Sequence, residues 1–230
     1  IGFRALNNQN PSSATDMYNT AVGTDAGLAV TTGTANTFIG GLAGDATTTG
    51  SNNTAVGKHT LGSNTTGASN TAVGSGALFS TTTGVRNTAI GSFSLDANTT
   101  SNDNTAVGSG SLGVNTTGAN NTAVGSFSLD ANTTGDSNVA LGKSALGANT
   151  TADNNVAVGT ETLLVNTTGT SNVAVGSFAL DANTTASSNT AIGHGSLTAN
   201  TTGGDNTAVG RSALDANTTA SFNTAIGRNA

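Results

Sequence analysis

Chemistry in this chain would have to start from its two histidines, His59 and His194, because imidazole is the commonest general base and metal ligand near neutral pH. The equivalent positions one repeat before and after His59 are Leu42 and Gly76, which offer neither acid nor nucleophile. His194 lies between Ser177 and Arg211 in the same comparison. A Ser-His pair is conceivable there, but no orienting acid or oxyanion donor accompanies it. Four aspartates, Asp96, Asp130, Asp181 and Asp215, follow a leucine at intervals of 34 or 51 residues. Calcium needs several carboxylates converging on one loop, so these read as solvated turn residues. Gly108-Ser109-Gly110-Ser111-Leu112-Gly113 matches GxGxxG. A dinucleotide site requires that run between a strand and a helix, and no helix pattern follows. Asn98-Thr99-Thr100 and its copies match the N-glycosylation acceptor pattern, and read first as turn chemistry. Thr99, Thr116, Thr133 and Thr150 form one evenly spaced row, and Thr100, Thr117, Thr134 and Thr151 another. Ice-binding solenoids present rows of this kind, and the plainer reading is threonine suited to an exposed strand or turn. No metal, cofactor or catalytic constellation emerges from these residues.

What positions them is a repeat. An Asn-initiated block of the NTAVG type begins at Asn19, Asn36, Asn53, Asn70, Asn87, Asn104, Asn121, Asn138, Asn155, Asn172, Asn189, Asn206 and Asn223, each step being 17 residues. Numbering the unit from its Asn, place two is Thr or, at Val139, Val156 and Val173, Val. Place three is Ala except Phe38, place four is Val, Ile or Leu, and place five is always Gly. Place nine is Leu from Leu61 to Leu214. Place twelve is Asn in most units, and Thr-Thr follows it. Two early units blur the pattern: Leu28 sits one place late, and Gly44 takes the leucine place with Leu42 two places early. Residues 1–18 hold a partial first unit and an inserted loop, Asn7 to Tyr18, which carries the single proline, Pro11. Residues 19–230 read as one continuous array, and the start and end in mid-repeat suggest a piece of a longer fibre.

A 17-residue period is too short for two helices and their turns, and its residues favour strands and turns. Each unit is therefore expected to be one coil of an all-β solenoid. A strand spans places two to four, glycine makes the corner, and a second short extended segment covers places seven to nine. Stacked at about 4.8 Å, 13 coils would form a rod on the order of 60 Å long, with Asn ladders at places one and twelve.

Composition limits the function. Charged residues are 8%, against roughly 25% in ordinary domains, and net charge is −6. The six basic residues form no patch, which speaks against nucleic acid as a partner. No apolar run approaches a membrane span. The chain has no cysteine, so it has neither disulfides nor thiol chemistry. Each coil supplies only about two large aliphatic side chains, which leaves a lone coil thinly supported. The alanines of place three form a small-residue stripe open to close approach by another wall. That wall is either the far side of the same coil or an identical chain, and the thin core favours the second. The expected seam between chains is Ala55, Ala72, Ala89, Ala106, Ala123, Ala140, Ala157, Ala174, Ala191 and Ala208.

The NTAVG, NVAVG and NTAIG blocks resemble the head repeats of YadA-like trimeric autotransporter adhesins. With their leucine and NTTG they are also similar to repeats of bacterial and phage tail-fibre-like proteins. The resemblance implies a left-handed parallel β-roll, three chains side by side about a threefold axis, and an extracellular fibre on a cell surface or virion. It also implies a division of the strand's faces, with Val124 and its column inside the roll and Ala123 and its column toward the axis. The 17-residue coil is longer than the family's shorter coils, which enlarges the Asn-Thr-Thr turn. The function expected is non-enzymatic: a structural or adhesive segment of a homotrimeric fibre that contacts a surface glycan or matrix protein. The alternatives are a phage-type tail fibre recognising glycans, and an ice-binding solenoid using its threonine rows.

Overall fold

The computed structural model describes residues 1–10 and 16–230. Part of the predicted inserted loop, residues 11–15, lies outside the described residues. The fold is a parallel β-solenoid, and no helix occurs among the described residues. It comprises two compact units, Ile1–Thr117 and Gly118–Ala230. The first contains β1 (Thr20–Val22), β2 (Thr37–Ile39), β3 (Thr54–Val56), β4 (Thr71–Val73), β5 (Thr88–Ile90) and β6 (Thr105–Val107). The second contains β7 (Thr122–Val124), β8 (Val139–Leu141), β9 (Val156–Val158), β10 (Val173–Val175), β11 (Thr190–Ile192), β12 (Thr207–Val209) and β13 (Thr224–Ile226). Within each unit every strand pairs in parallel with the strand of the next coil. The register sets each residue beside its equivalent: Ala55 opposite Ala72, Ala140 opposite Ala157.

The coils are joined by more than their strands. Within each unit, after its first coil, the backbone N–H of the place-one Asn donates to the side-chain Oδ1 of the Asn one coil earlier, at 3.0 Å for Asn70 to Asn53 and for Asn155 to Asn138. The same amide then donates through Nδ2 to a carbonyl of its own coil, Asn53 to Gly67 at 2.9 Å and Asn155 to Gly169 at 2.9 Å. The place-twelve amides form the second predicted ladder, with Nδ2 of Asn149, Asn166 and Asn183 donating to Oδ1 of the Asn before it at 2.9, 3.2 and 2.8 Å. Where threonine replaces that Asn, at Thr47 and Thr81, its hydroxyl accepts the bond instead.

The second extended segment expected at places seven to nine does not form. These residues make turns, and places seven and nine are left-handed, as at Phe127 (φ 56) and Leu129 (φ 50). Left-handed backbone costs a non-glycine residue roughly 1–2 kcal/mol, while full burial of a leucine returns about 1.5–3 kcal/mol. The conformation also completes the hydrogen bonding. Ser128 and Asn132 donate their N–H groups within the coil, to Gly125 at 3.3 Å and Leu129 at 3.1 Å. Leu129 and Ala131, which lie between them, donate to Ala145 and Gly147 of the next coil.

The interior is narrow. It holds places one, three, eight, nine, twelve and fifteen, and only the leucine there is large. The two faces of the strand are therefore the reverse of the expected ones. Ala55, Ala72, Ala89, Ala106, Ala123, Ala140, Ala157, Ala174, Ala191 and Ala208 have 0% exposure within the single chain and cannot meet a neighbour. The place-four residues face outward, with Val124 38% and Ile90 41% exposed. A strand's two faces differ by one residue of phase, and only alanine is small enough for this side of the coil.

Phe38 is the exception that supports this. It is fully buried at an alanine place, and its ring fills the space left by glycines at two leucine places: a Cβ on Gly44 would lie 2.4 Å from that ring, and one on Gly27 2.8 Å. Phe38→Ala should cost about 3–5 kcal/mol. Gly44→Leu alone should overpack the coil by about 1–3 kcal/mol. Combined, they should destabilise less than Phe38→Ala does alone, as read by thermal or denaturant unfolding, because leucine already occupies the equivalent left-handed position in other coils. A second test concerns the corner glycine. Gly125 has φ +133, and a Cβ there would sit 2.5 Å from the Gly142 carbonyl oxygen. Gly125→Ala should lower stability by at least about 1–3 kcal/mol in the same assay.

Candidate binding surfaces

Four surfaces carry the residues that sequence reasoning singled out. The first is the outward strand face. Place two is Thr or Val and place four is Val, Ile or Leu. In each unit they form two parallel columns: Thr71 and Val73 beside Thr88 and Ile90, then Val139 and Leu141 beside Val156 and Val158. A parallel sheet is ordinarily covered on both faces, and an uncovered apolar column is unusual. Nothing within the described residues covers this one.

The second surface is the threonine turn. The two rows behave differently. Place thirteen is half-buried, and its hydroxyl is engaged with the next coil: Thr65 donates to the Thr82 carbonyl at 3.1 Å and Thr133 to the Thr150 carbonyl at 3.0 Å. Place fourteen, including Thr100, Thr117, Thr134 and Thr151, is exposed. One row faces solvent at this turn, rather than a flat pair. The Asn of the Asn-Thr-Thr pattern is interior at Asn64, Asn98, Asn115, Asn132, Asn149, Asn166, Asn183 and Asn200. Asn98 is fully buried and donates to the Thr81 hydroxyl at 3.2 Å, which removes it from the reach of a transferase in the folded chain.

The third set, the charged groups, is spread over several places of the coil. Arg86 and Asp103, one coil apart, form a bidentate pair with 2.6 and 2.8 Å contacts, and Arg4 pairs with Asp25 at 2.8 Å in both of its bonds. The Asp103 carboxyl is held below its ordinary pKa by the Arg86 hydrogen bond, and both arginines are raised by their partners. The aspartates after the leucine are not uniformly solvated. Asp96, Asp130 and Asp181 are half-buried and Asp215 is exposed. Burial pushes the Asp96 and Asp130 carboxyls above the usual range. Asp181 accepts a 2.6 Å bond from the Thr198 hydroxyl. Asp45, at the equivalent place, is raised by burial, an effect opposed by its own backbone N–H and by His59 nearby. Among the described residues no group of three or more His, Asp or Glu side chains is close enough to hold a metal ion.

The fourth surface holds the histidines and the exposed phenylalanines. His59 meets Phe79 edge-on, with ring centroids 6.1 Å apart, and His194 meets Phe178 at 5.8 Å. Neither histidine is joined to the serine or carboxylate of a triad. Gly108 to Gly113 runs through the turn after β6, not into a helix. Sequence reasoning missed a hollow of about 360 Å³ beside His59, lined by Lys58, Gly76, Phe79, Phe93 and Asp96. Its signal was present in the columns: glycine at Gly62 and Gly76 stands where the following coil has phenylalanine.

The chain matches no family model, no curated protein and no solved structure.

The raised aspartates give a pH dependence with a definite sign. A carboxyl that binds its proton more tightly when folded adds stability that is complete below its unfolded pKa and is lost as pH rises through the folded value. Asp45, Asp96 and Asp130 are such groups, whereas Asp103 loses its contribution only below the ordinary carboxylate range. The thermal midpoint should therefore be higher near the ordinary aspartate pKa, about 3.9, than at about pH 7. Asp130→Asn should raise the midpoint at neutral pH and shrink that difference, which a pair of thermal melts would show.

Proposed function

We propose that this chain is a non-enzymatic segment of an extracellular trimeric fibre, in which three solenoids pack side by side and present their remaining flanks to a host cell, a neighbouring cell or a matrix. The uncovered Thr/Val face is the observation that carries the reading. It alternates Thr or Val with an aliphatic residue, keeps strict register within each unit, and repeats with every coil. A second copy of the chain offers the same spacing and the same chemistry, so the columns of one copy meet those of another without a change of register. The thin core points the same way, since one leucine and several alanines per coil gain little from burial alone.

In this reading the seam lies on Thr122, Val124 and their equivalents, one residue either side of the alanines the sequence suggested. The alanines serve the assembly indirectly, by drawing the coil in behind a flat outer face. The fibre's task is mechanical: stacked coils hold a binding element away from the surface that anchors it. The resemblance to YadA-like heads and to tail-fibre repeats agrees with this reading.

Light scattering should give a trimer at micromolar concentration. Val158→Asp combined with Val175→Asp places two charges on neighbouring coils of the outward face. The pair should dissociate the trimer while leaving the circular dichroism of the coils in place. A wild-type chain that stays monomeric would overturn the proposal. Thermal hysteresis measured on such a monomer would favour the ice-binding alternative, with the exposed row of Thr100, Thr117, Thr134 and Thr151 meeting ice.

A further inference from the structure

We propose that the hollow beside Gly76 is a carbohydrate subsite that takes one pyranose residue of a glycan chain. Its floor is made by glycine. Phe79 leans over Gly62 and Phe93 over Gly76, so closely that a Cβ on either glycine would lie 3.0 or 2.8 Å from the ring. Beside the two rings lies a hollow of about 360 Å³, within the range of small-ligand clefts, about 300–1,000 Å³. Both phenyl rings remain substantially exposed, Phe93 by 57% and Phe79 by 42%, an unusual state for phenylalanine. His59 stands edge-on to Phe79, with ring centroids 6.1 Å apart.

The polar groups at the hollow define the ligand. Lys58 and Ser75 supply donors, and Asp96 supplies an acceptor. One ammonium and one carboxylate leave the site near neutral, which disfavours a phosphate or a polyanion. Lys58 likewise disfavours a cation over the phenyl faces, although aromatic rings beside a carboxylate would otherwise suit one. A neutral ligand with an apolar face and a rim of hydroxyls fits what remains. A pyranose has both: its axial C–H groups lie against an aromatic ring, and its hydroxyls donate to a carboxylate and accept from an ammonium. Such a site is shallow and binds weakly alone, but a trimeric fibre would present it three times to a repetitive glycan. The subsite itself does not rest on trimerisation, since its lining residues all come from one chain and none belongs to the Thr/Val face.

The test is a titration of the 230-residue protein, followed by calorimetry or NMR, with methyl pyranosides of glucose, galactose, mannose and N-acetylglucosamine and with their short oligomers. Saturable binding of at least one of these is expected. Phe93→Ala should weaken it on the order of ten-fold, as expected for a lost stacking contact. Asp96→Asn should also weaken it, and Gly76→Asn, which suits a left-handed position and pushes the Phe93 ring aside, should abolish it. Phe127→Ala removes an equally exposed phenylalanine that does not line the hollow, and should leave binding unchanged. All four variants are compared at matched circular dichroism. Absence of saturable binding to every probe would overturn the proposal, and so would an equal loss from Phe127→Ala and Phe93→Ala.

Discussion

Everything in this fold hangs on a hydrogen bond from a backbone N–H to the side chain of an asparagine one coil earlier. The side chain occupies the interior, where an unpaired amide would cost a few kcal/mol. It is paired on both sides, as acceptor to the next coil and as donor to a carbonyl of its own, as at Asn53 and Asn155. A shorter or purely apolar residue could not bridge both. The ladder thereby fixes the spacing between coils and closes each coil on itself at once. The glycine corner, the small interior and the left-handed leucines all follow from that closure.

Much of this was legible in the residues. The period, the strand at places two to four, the glycine corner and the two asparagine ladders each leave a column of one residue type. The assignment of strand faces did not read through. Alternation says that Ala123 and Val124 point opposite ways, but not which way is in. Hydrophobicity suggested valine inside; available width decided for alanine. Leu129 was correctly placed in the core, yet its left-handed backbone leaves no trace in its type, because leucine carries no preference for that conformation. Phe38 shows how a broken column can still be informative. Its deviation and those of Gly27 and Gly44 are one feature, a bulky residue on one wall matched by missing side chains on the other.

The candidate surfaces were legible to different degrees for the same reason. Threonine at places thirteen and fourteen forms two adjacent rows, of which the sequence does not say which one faces solvent. Only the hydrogen bonds distinguish a row engaged with the next coil from one facing solvent. The buried asparagine of the glycosylation pattern was indistinguishable by sequence from an exposed one. The hollow at Gly76 depends on a glycine and a phenylalanine in successive coils, a relation between columns that does not show when each column is taken alone.

The strict register between coils has a consequence for how such a chain changes over time. From Asn19 onward, any stretch of 17 residues, wherever it is cut, begins and ends at equivalent points. Removing or duplicating one returns every ladder to an identical partner, so the stacking tolerates it. A change of one or two residues in length would instead turn buried alanines outward and leave amides unmatched. Length can therefore change in whole steps of one coil without disturbing the stacking of the coils on either side.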